Sequence, residues 1–329
     1  MSTRTASRLT SSNNGHSATR RNGAATNGRP APRVANRLRK ATNGRASKFP
    51  SSYSEARGEA TLQATAGARS DRLYVRFKGD EVQLELAGRG QLLLQGLWEC
   101  VVSVDGEPIP LTGEWESSCW NADEDADYLE LQFRVDEKLR IDRQILLPRS
   151  GNYAVLADAI IAPGASELEV RTRFPLPSDI KFSTDRLTRS ARLRGPAGVV
   201  RAHPLALPQE RVHSAPGDLI ASGGALELVQ RQKGSALYLP LVIDWSPKRA
   251  GGAVQWRNLT VSEQRKTLRI DEAAGYRLRM GKDQILVYHS LHNTGEARAV
   301  LGHHTWNETV IGGVKADGTI APLILIEQA

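Results

Sequence analysis

The 329-residue sequence predicts an all-β protein, a large antiparallel β-sandwich preceded by a disordered basic N-terminal arm. Short runs that alternate between apolar and polar residues begin at about Leu73 and continue towards the C-terminus. This alternation is typical of strands with one buried face. Turn residues separate the runs about every eight to twelve positions, as in sandwiches and barrels. No long stretch has the apolar spacing of an amphipathic helix.

The arm is recognised by its composition. Residues 1–52 consist mainly of Ser, Thr, Asn, Gly, Ala and Arg, with few large apolar side chains. Such a segment buries too little apolar surface to offset the chain entropy lost on folding. Residues 53–66 lack an apolar stripe, and we interpret them as a linker. The predicted organisation is therefore a cationic arm and linker at residues 1–66 and a β-sandwich domain at residues 67–329.

The net charge of +8 is concentrated in the arm. Residues 1–60 carry twelve basic and two acidic side chains, whereas the rest of the chain is slightly acidic. Many cations without stacking aromatic residues favour salt-sensitive, sequence-independent binding of polyanions. One hypothesis is therefore a nucleic-acid-associated or coat-like assembly protein that carries this arm. The predicted polyanion-binding residues are Arg20, Arg21, Arg37, Arg39 and Lys40.

The strands of the domain follow from the alternating runs and the turns between them. Asp105-Gly106 is a hairpin signal at the end of one run. Residues 175–216 contain six prolines, so we expect irregular connections with short strands there. The predicted strands are Leu73–Phe77, Val82–Leu86, Trp98–Val104, Tyr128–Val135, Leu139–Leu147, Tyr153–Ile161, Leu168–Phe174, Ala225–Gln230, Ala236–Ile243, Gly275–Met280, Gln284–Ser290, Arg298–His304 and Leu323–Glu327.

Four of the seven histidines, His289, His292, His303 and His304, lie within sixteen residues and are the candidate catalytic residues. We expect a hairpin with its loop near 293–296, which would place His289 and His304 on one face. Converging neutral imidazoles can supply a general base. An enzyme that uses this group is one hypothesis, and local hydrogen bonding on a sheet is the alternative. The spacing matches no standard zinc motif, so we expect neither a metal nor a cofactor.

Three tryptophans, Trp98, Trp115 and Trp120, are the candidate ligand-binding residues because they lie close together in the sequence. A partly exposed tryptophan can stack on the apolar face of a sugar ring. The alternative is that they are core residues, as large aromatic side chains on strands commonly are. The leading hypothesis is a non-catalytic or accessory carbohydrate-related β-sandwich protein, with a polysaccharide as its partner. It requires these tryptophans to be partly exposed on one surface.

Several classes of protein are disfavoured by missing features. No run approaches the roughly 18 apolar residues of a membrane span, so we expect none. Cys100 and Cys119 cannot make a disulfide framework, and two reduced thiols favour a cytoplasmic location. A phosphate-binding glycine loop, a nucleophile elbow and a zinc-protease motif are missing. These missing features favour a protein that is not an enzyme and leave the enzyme hypothesis open.

Three segments resemble the C-terminal β-supersandwich domain of polysaccharide lyases of the heparinase II/III type. They are Trp98-Glu99 with Asp105-Gly106, the run Leu139–Leu147, and His292-Asn293-Thr294. The resemblance covers residues 70–329 and implies a supersandwich fold. If the protein is an enzyme, the resemblance implies a lyase acting on a polysaccharide. In those lyases a helical toroid forms much of the catalytic cleft, and no helical pattern occurs here, so we expect no complete lyase and carry over no catalytic residue.

Two further segments, Val300–Thr305 and Pro322–Glu327, resemble bacterial proteins of planctomycete type. That resemblance implies no activity.

Overall fold

Antiparallel strands form nearly all of the regular structure in the computed structural model, which describes residues 50–328 apart from residues 68, 136, 138 and 197. These residues contain no α-helix, and one short 3-10 turn occurs at Glu55–Arg57. The predicted all-β fold class is confirmed. The arm cations from Arg20 to Lys40 lie outside the described residues, so their role stays a prediction.

The first five strands form the N-terminal sheet, paired in chain order. They are β1 (Ser52–Ser54), β2 (Glu59–Gln63), β3 (Arg72–Lys78), β4 (Glu81–Gly88) and β5 (Gln91–Leu97). The interpretation of residues 53–66 as a linker is therefore wrong. Ala60 and Leu62 of β2 are fully buried and alternate with half-buried neighbours. This alternation is only five residues long, too short to stand out as an apolar stripe.

The next eleven strands form the large sheet. Its two longest strands pair with each other along most of their length, with one irregularity between Ile161 and Ser166. The strands are β6 (Glu99–Val104), β7 (Glu107–Pro108), β8 (Glu116–Ala122), β9 (Ala126–Val135), β10 (Leu139–Pro148), β11 (Tyr153–Pro175), β12 (Lys181–Thr184), β13 (Ala191–Gly195), β14 (Gly198–Pro204), β15 (Gly217–Ser222) and β16 (Ala225–Asp244). The short strands predicted within residues 175–216 are thus present as β12, β13 and β14.

The last nine strands form two further sheets. They are β17 (Val254–Leu259), β18 (Val261–Glu263), β19 (Lys266–Thr267), β20 (Ala273–Met280), β21 (Asp283–Ser290), β22 (Arg298–Val300), β23 (His303–Thr305), β24 (Asn307–Val314) and β25 (Ile320–Glu327). The C-terminal sheet has the order β17-β20-β21-β24-β25, and the small sheet has the order β19-β18-β22-β23.

The large sheet is buried on both faces. Leu129 and Ile145 belong to one core cluster together with residues of the N-terminal sheet. Tyr128 and Leu146, their chain neighbours, belong to a second cluster together with residues of the C-terminal sheet, such as Val287. Because successive side chains of a strand point to opposite faces, the large sheet lies between the N-terminal sheet and the C-terminal sheet. Polar side chains on its central strands must therefore find partners inside the protein.

Candidate functional site

A groove of about 620 Å³ lies where the end of the small sheet meets the C-terminal sheet. We call it the Trp306 groove. Its apolar lining includes Ile320, Pro322 and Leu325, all from β25. Its polar lining combines imidazole, amide, hydroxyl and carboxylate groups and consists of Asn293, His303, His304, Thr305, Asn307, Glu327 and Gln328. The indole of Trp306, which is 66% exposed, completes the wall.

A tight turn delivers the two histidines to the groove. β22 and β23 pair with His303 opposite Val300 and His304 opposite Ala299. The two residues between the strands, Leu301 and Gly302, both have positive φ, +51° and +76°. Positive φ at both central positions is the requirement of a type I′ turn, the turn that matches the twist of a hairpin. His303 and His304 therefore leave the turn in a fixed register.

The position of Trp306 is set by its two neighbours. Thr305 is buried, and its Oγ1 accepts hydrogen bonds from both the backbone N and the Nδ2 of Asn307, each at 3.0 Å. This local bonding changes the chain direction between β23 and β24. Trp306 lies at the change of direction and belongs to neither strand, which leaves its ring exposed.

Arg298 holds the loop on the other side of the groove. This buried guanidinium donates from Nη2 to the backbone O of His292 at 2.7 Å and from Nη1 to Ser290 Oγ at 2.6 Å. Its Nε donates to Glu263 Oε2 at 2.9 Å, and the same oxygen accepts a hydrogen bond from Thr294 Oγ1 at 2.6 Å. The loop that carries Asn293 is therefore fixed at both of its ends.

The surroundings of His303 favour the neutral form of its imidazole. Partial burial, followed by the nearby positive charge of His304, lowers the pKa of His303. A neutral imidazole offers one donor and one acceptor nitrogen. Together with the amides of Asn293 and Asn307, it can bond groups that both donate and accept, such as sugar hydroxyls. The exposed indole adds a flat apolar surface beside these groups.

The four histidines predicted to act together are divided among three places, so the predicted convergence is wrong. His289 is fully buried on β21, where it is paired with Ala274 and Thr309. His292 contacts Ser235 Oγ through Nε2 at 2.9 Å. Only His303 and His304 of the four line the Trp306 groove. The reason is that β21 and β22, expected to form one hairpin, belong to different sheets.

The prediction that Trp98, Trp115 and Trp120 share an exposed surface is also wrong. Trp98 and Trp115 are only 2% and 7% exposed and belong to the core. Their indole nitrogens donate internally, to Thr172 Oγ1 and to the backbone O of Asp80. Trp120 is half-buried and stacks on Tyr53, with ring centroids 5.4 Å apart. Trp98 and Trp115 are enclosed in the core cluster that the N-terminal sheet and the large sheet share, so neither can contact an external ligand.

Trp306 lines the groove but was not among the residues predicted from the sequence to bind a ligand. A signal for it was present, because it directly follows His303-His304-Thr305 and lies between two predicted strands rather than within one. A tryptophan outside the alternating pattern is not required by the core and is free to face solvent.

Both cysteines are free thiols, as predicted. Burial raises the pKa of the Cys100 thiol. Among the residues that the structure describes, no helix has the length and apolar character needed to cross a membrane.

Comparison with known proteins identifies similar folds but no similar sequences. No family model matches the chain, and no curated protein sequence matches it. The heparan sulfate lyase HepC from Pedobacter heparinus is similar in structure, with a TM-score of 0.54 and 12% identity over 76% of this chain and 44% of that chain. Two heparinase III structures are similar with TM-scores of 0.51 and 0.50, at 11% and 10% identity, each over 75% of this chain.

The chain spans less than half the length of these solved structures, 43–44%. At this level of identity the likeness is one of fold. The resemblance to heparinase II/III-type lyases that the sequence suggested therefore holds for the fold of the described residues.

Proposed function

We propose that this protein binds a polysaccharide in the Trp306 groove without cleaving it. The observation that carries the proposal is the 66% exposed indole of Trp306 at the wall of a groove with polar groups on several sides. A large exposed aromatic ring next to hydrogen-bonding side chains is a common arrangement at ligand sites. Stacking of a sugar ring on the indole would bury apolar surface that is otherwise exposed to water.

The composition of the groove indicates which part of a polysaccharide it would contact. The lining residues include no lysine or arginine. The groove therefore suits the hydroxyl groups and the apolar ring face of a sugar better than a sulfate group, which arginine and lysine bind best. Glu327 would accept hydrogen bonds from hydroxyls, and the amides of Asn293 and Asn307 would donate or accept them.

The fold likeness supports a carbohydrate ligand without identifying it. The similar structures are a heparan sulfate lyase and heparinase III. A fold can serve several functions, so the polysaccharide of this protein is to be found by experiment. Lyase activity through His303 or His304 is the competing function, because two imidazoles line the same groove.

The test is affinity electrophoresis of the full chain through gels that contain heparan sulfate or one of a panel of neutral polysaccharides. We expect retardation in at least one neutral polysaccharide. Trp306→Ala should weaken it about tenfold, which corresponds to about 1.4 kcal/mol. Trp120→Ala is the matched control, because Trp120 stacks on Tyr53 and lies outside the groove.

Two results would contradict the proposal. Equal retardation of wild type and Trp306→Ala would remove the groove as the binding site. Release of unsaturated products from the bound polysaccharide, followed by ultraviolet absorbance and lost in His303→Ala, would replace binding with lyase activity.

A further inference from the structure

Three metal-ligating side chains that are far apart in the sequence meet between the large sheet and the C-terminal sheet. Asp142 lies on β10, His289 on β21 and Glu308 on β24. One nitrogen or oxygen atom of each residue lies within 4.8 Å of those of the other two, and all three residues are buried. We propose that this buried trio binds a divalent transition-metal ion, with zinc as the ion that suits its ligands best. This site is separate from the Trp306 groove and does not depend on its function.

The ligand types and separations suit zinc. Zinc accepts imidazole nitrogen and carboxylate oxygen with bonds about 2.0–2.2 Å long. Ligand atoms around a tetrahedral zinc ion therefore lie about 3.3–3.6 Å apart. The atoms of the trio lie within 4.8 Å of one another, so any two of them need to approach by at most about 1.5 Å to reach that geometry.

A β-bulge directs Glu308 towards the other two residues. β24 pairs with β25 at Asn307 and again at Thr309, and the register shifts between these positions. In a regular strand Glu308 and Thr309 would face opposite sides. Here Thr309 Oγ1 lies 2.9 Å from His289 Nδ1, while Glu308 lies in the same cluster as His289. Bulges commonly re-aim a side chain in this way at functional sites.

Hydrogen bonds around the trio hold two of its members in position. The tautomer with Nδ1–H donating to Thr309 Oγ1, 2.9 Å away, leaves the lone pair on Nε2, so Nε2 is the nitrogen that would bind the metal. Gln144 Nε2 donates to the same Thr309 oxygen at 3.1 Å. Gln144 is itself oriented by Tyr238, whose hydroxyl donates to Gln144 Oε1 at 2.8 Å. Outer hydrogen bonds of this type fix the tautomer and the orientation of histidine ligands.

Asp142 is oriented in the same manner. Its Oδ1 accepts a hydrogen bond from Gln132 Nε2 at 2.7 Å, and its Oδ2 accepts one from Arg140 Nε at 3.0 Å. These two bonds orient the carboxylate, and carboxylate oxygen is a ligand type that zinc accepts.

The region around the trio is rich in buried carboxylates. Asp142 and Glu308 are buried carboxylates, and the buried Glu130 is linked to His289 through Gln144. Burial of carboxylates is costly unless positive charge or hydrogen bonds compensate them. Arg140 supplies one partly exposed positive charge to Asp142. A divalent ion would add two more at the centre of the trio.

The test refolds the full chain, without a polyhistidine tag, from denaturant in the presence of Zn²⁺ or of a chelator. Refolding is used because a buried site would take up its ion as the sheets assemble. After dialysis we expect one zinc per chain by elemental analysis and a higher unfolding midpoint than for the chelated protein. Replacement of zinc by Co²⁺ should give visible absorption bands.

Two conservative variants test the assignment. Asp142→Asn and Glu308→Gln should each lower the zinc affinity at least about 100-fold, since each removes a ligand. His203→Asn is the matched control, because His203 is another fully buried histidine and lies outside the trio. A His303→Ala/His304→Ala double variant controls for surface binding and should keep its zinc.

The measurement on the wild-type protein can overturn the proposal even if a variant fails to fold. Wild type that refolds in Zn²⁺ yet retains no ion, with the same unfolding midpoint in chelator, would overturn the proposal. Zinc that is lost in the His303/His304 variant, or that persists in Asp142→Asn and Glu308→Gln, would place the ion elsewhere and also overturn it.

Discussion

At the residue scale, buried charges impose strict requirements on this fold. Arg143 on β10 lies between two indole rings, with its guanidinium carbon 4.1 Å from the ring centroid of Trp98 and 4.6 Å from that of Trp115. Its Nε donates to Asp158 Oδ1 at 2.8 Å, and its Nη1 donates to the backbone O of Trp98 at 2.9 Å. Both tryptophans therefore shield an ion pair from water.

Removal of this guanidinium should be costly. Arg143→Met keeps most of the side-chain volume but leaves the fully buried Asp158 without its charged partner. We expect the free energy of unfolding to fall by about 3–5 kcal/mol, measured by urea denaturation. Arg57→Met is the control, because Arg57 is 73% exposed in its pair with Glu59, and it should change stability by less than about 1 kcal/mol. Equal effects of the two substitutions would contradict the argument.

His203 is a second buried titratable residue. It is fully buried on β14, its Nδ1 lies 3.0 Å from Ser190 Oγ, and its ring packs against Trp256. Burial, followed by the positive charges of Arg201 and Arg249, lowers the pKa of His203 to about 3. The residue is therefore neutral in the folded protein throughout the mildly acidic range.

This pKa predicts a loss of stability on acidification. Below about pH 6.5 the unfolded chain binds a proton at His203 that the folded protein does not, so stability is present above pH 6.5 and falls as the pH drops towards 3. Between pH 6.5 and pH 5 the loss due to His203 should be about 2 kcal/mol. His203→Gln should lack this share when urea unfolding is compared at the two pH values. An unchanged pH dependence in the variant would refute the assignment.

At the element scale, the first two strands are part of the folded domain. Asp127 on β9 is fully buried and accepts hydrogen bonds from Ser51 Oγ and from the backbone N of Gln63, the latter at 2.8 Å. Arg149 forms an ion pair with the same carboxylate and donates to the backbone O of Gln63. Ser51 and Gln63, at the ends of the β1–β2 segment, are therefore tied to the large sheet.

Two truncations test where the domain begins. Deletion of residues 1–49 should change the free energy of unfolding by less than about 0.5 kcal/mol, because the sequence predicts little burial there. Deletion of residues 1–66 also removes the buried Ala60 and Leu62 and the partners of Asp127. It should cost at least about 3 kcal/mol or prevent folding. Equal thermal and urea unfolding of the two truncated proteins would show that β1 and β2 add nothing.

At the scale of the whole molecule, charge is unevenly distributed along the chain. Residues 1–49 contain eleven basic and no acidic side chains, whereas the rest of the chain is slightly acidic. Binding of a polyanion should therefore depend on the arm, and binding of a polysaccharide on the Trp306 groove. We expect the two binding activities to be separable, because different residues would carry them.

Polyanion binding is tested with fluorescently labelled single-stranded polynucleotide, followed by anisotropy. The full chain should bind at 50 mM salt and lose at least about 100-fold in affinity at 200 mM salt. Joint replacement of Arg20, Arg21, Arg37, Arg39 and Lys40 by Gln should weaken binding and flatten the salt dependence. Trp306→Ala should leave it unchanged. Undiminished binding after deletion of residues 1–49 would assign the polyanion site to the β domain instead.

The sequence by itself determined the strand content of the protein, because the alternation of apolar and polar residues acts locally. The runs at Val82–Leu86 and Leu139–Leu147 were correctly predicted as strands for this reason. Alternation does not show how many faces of a sheet are covered. The sequence therefore left Trp98 open to two interpretations, a core residue or an exposed ligand-binding residue. The N-terminal sheet packs against the large sheet around Trp98, which makes it a core residue.

Only the tertiary structure decided the sites, because each is assembled from strands that belong to different sheets or lie far apart in the chain. His289 and His304 are only 15 positions apart in the sequence, yet one is enclosed between sheets and the other lines a surface groove. Asp142 and His289 are 147 positions apart and meet because β10 and β21 face each other across a core layer. The alternation of apolar and polar residues along the chain determines which residues form strands. The stacking of the sheets determines which side chains meet, and the chemistry of a site depends on the side chains that meet there.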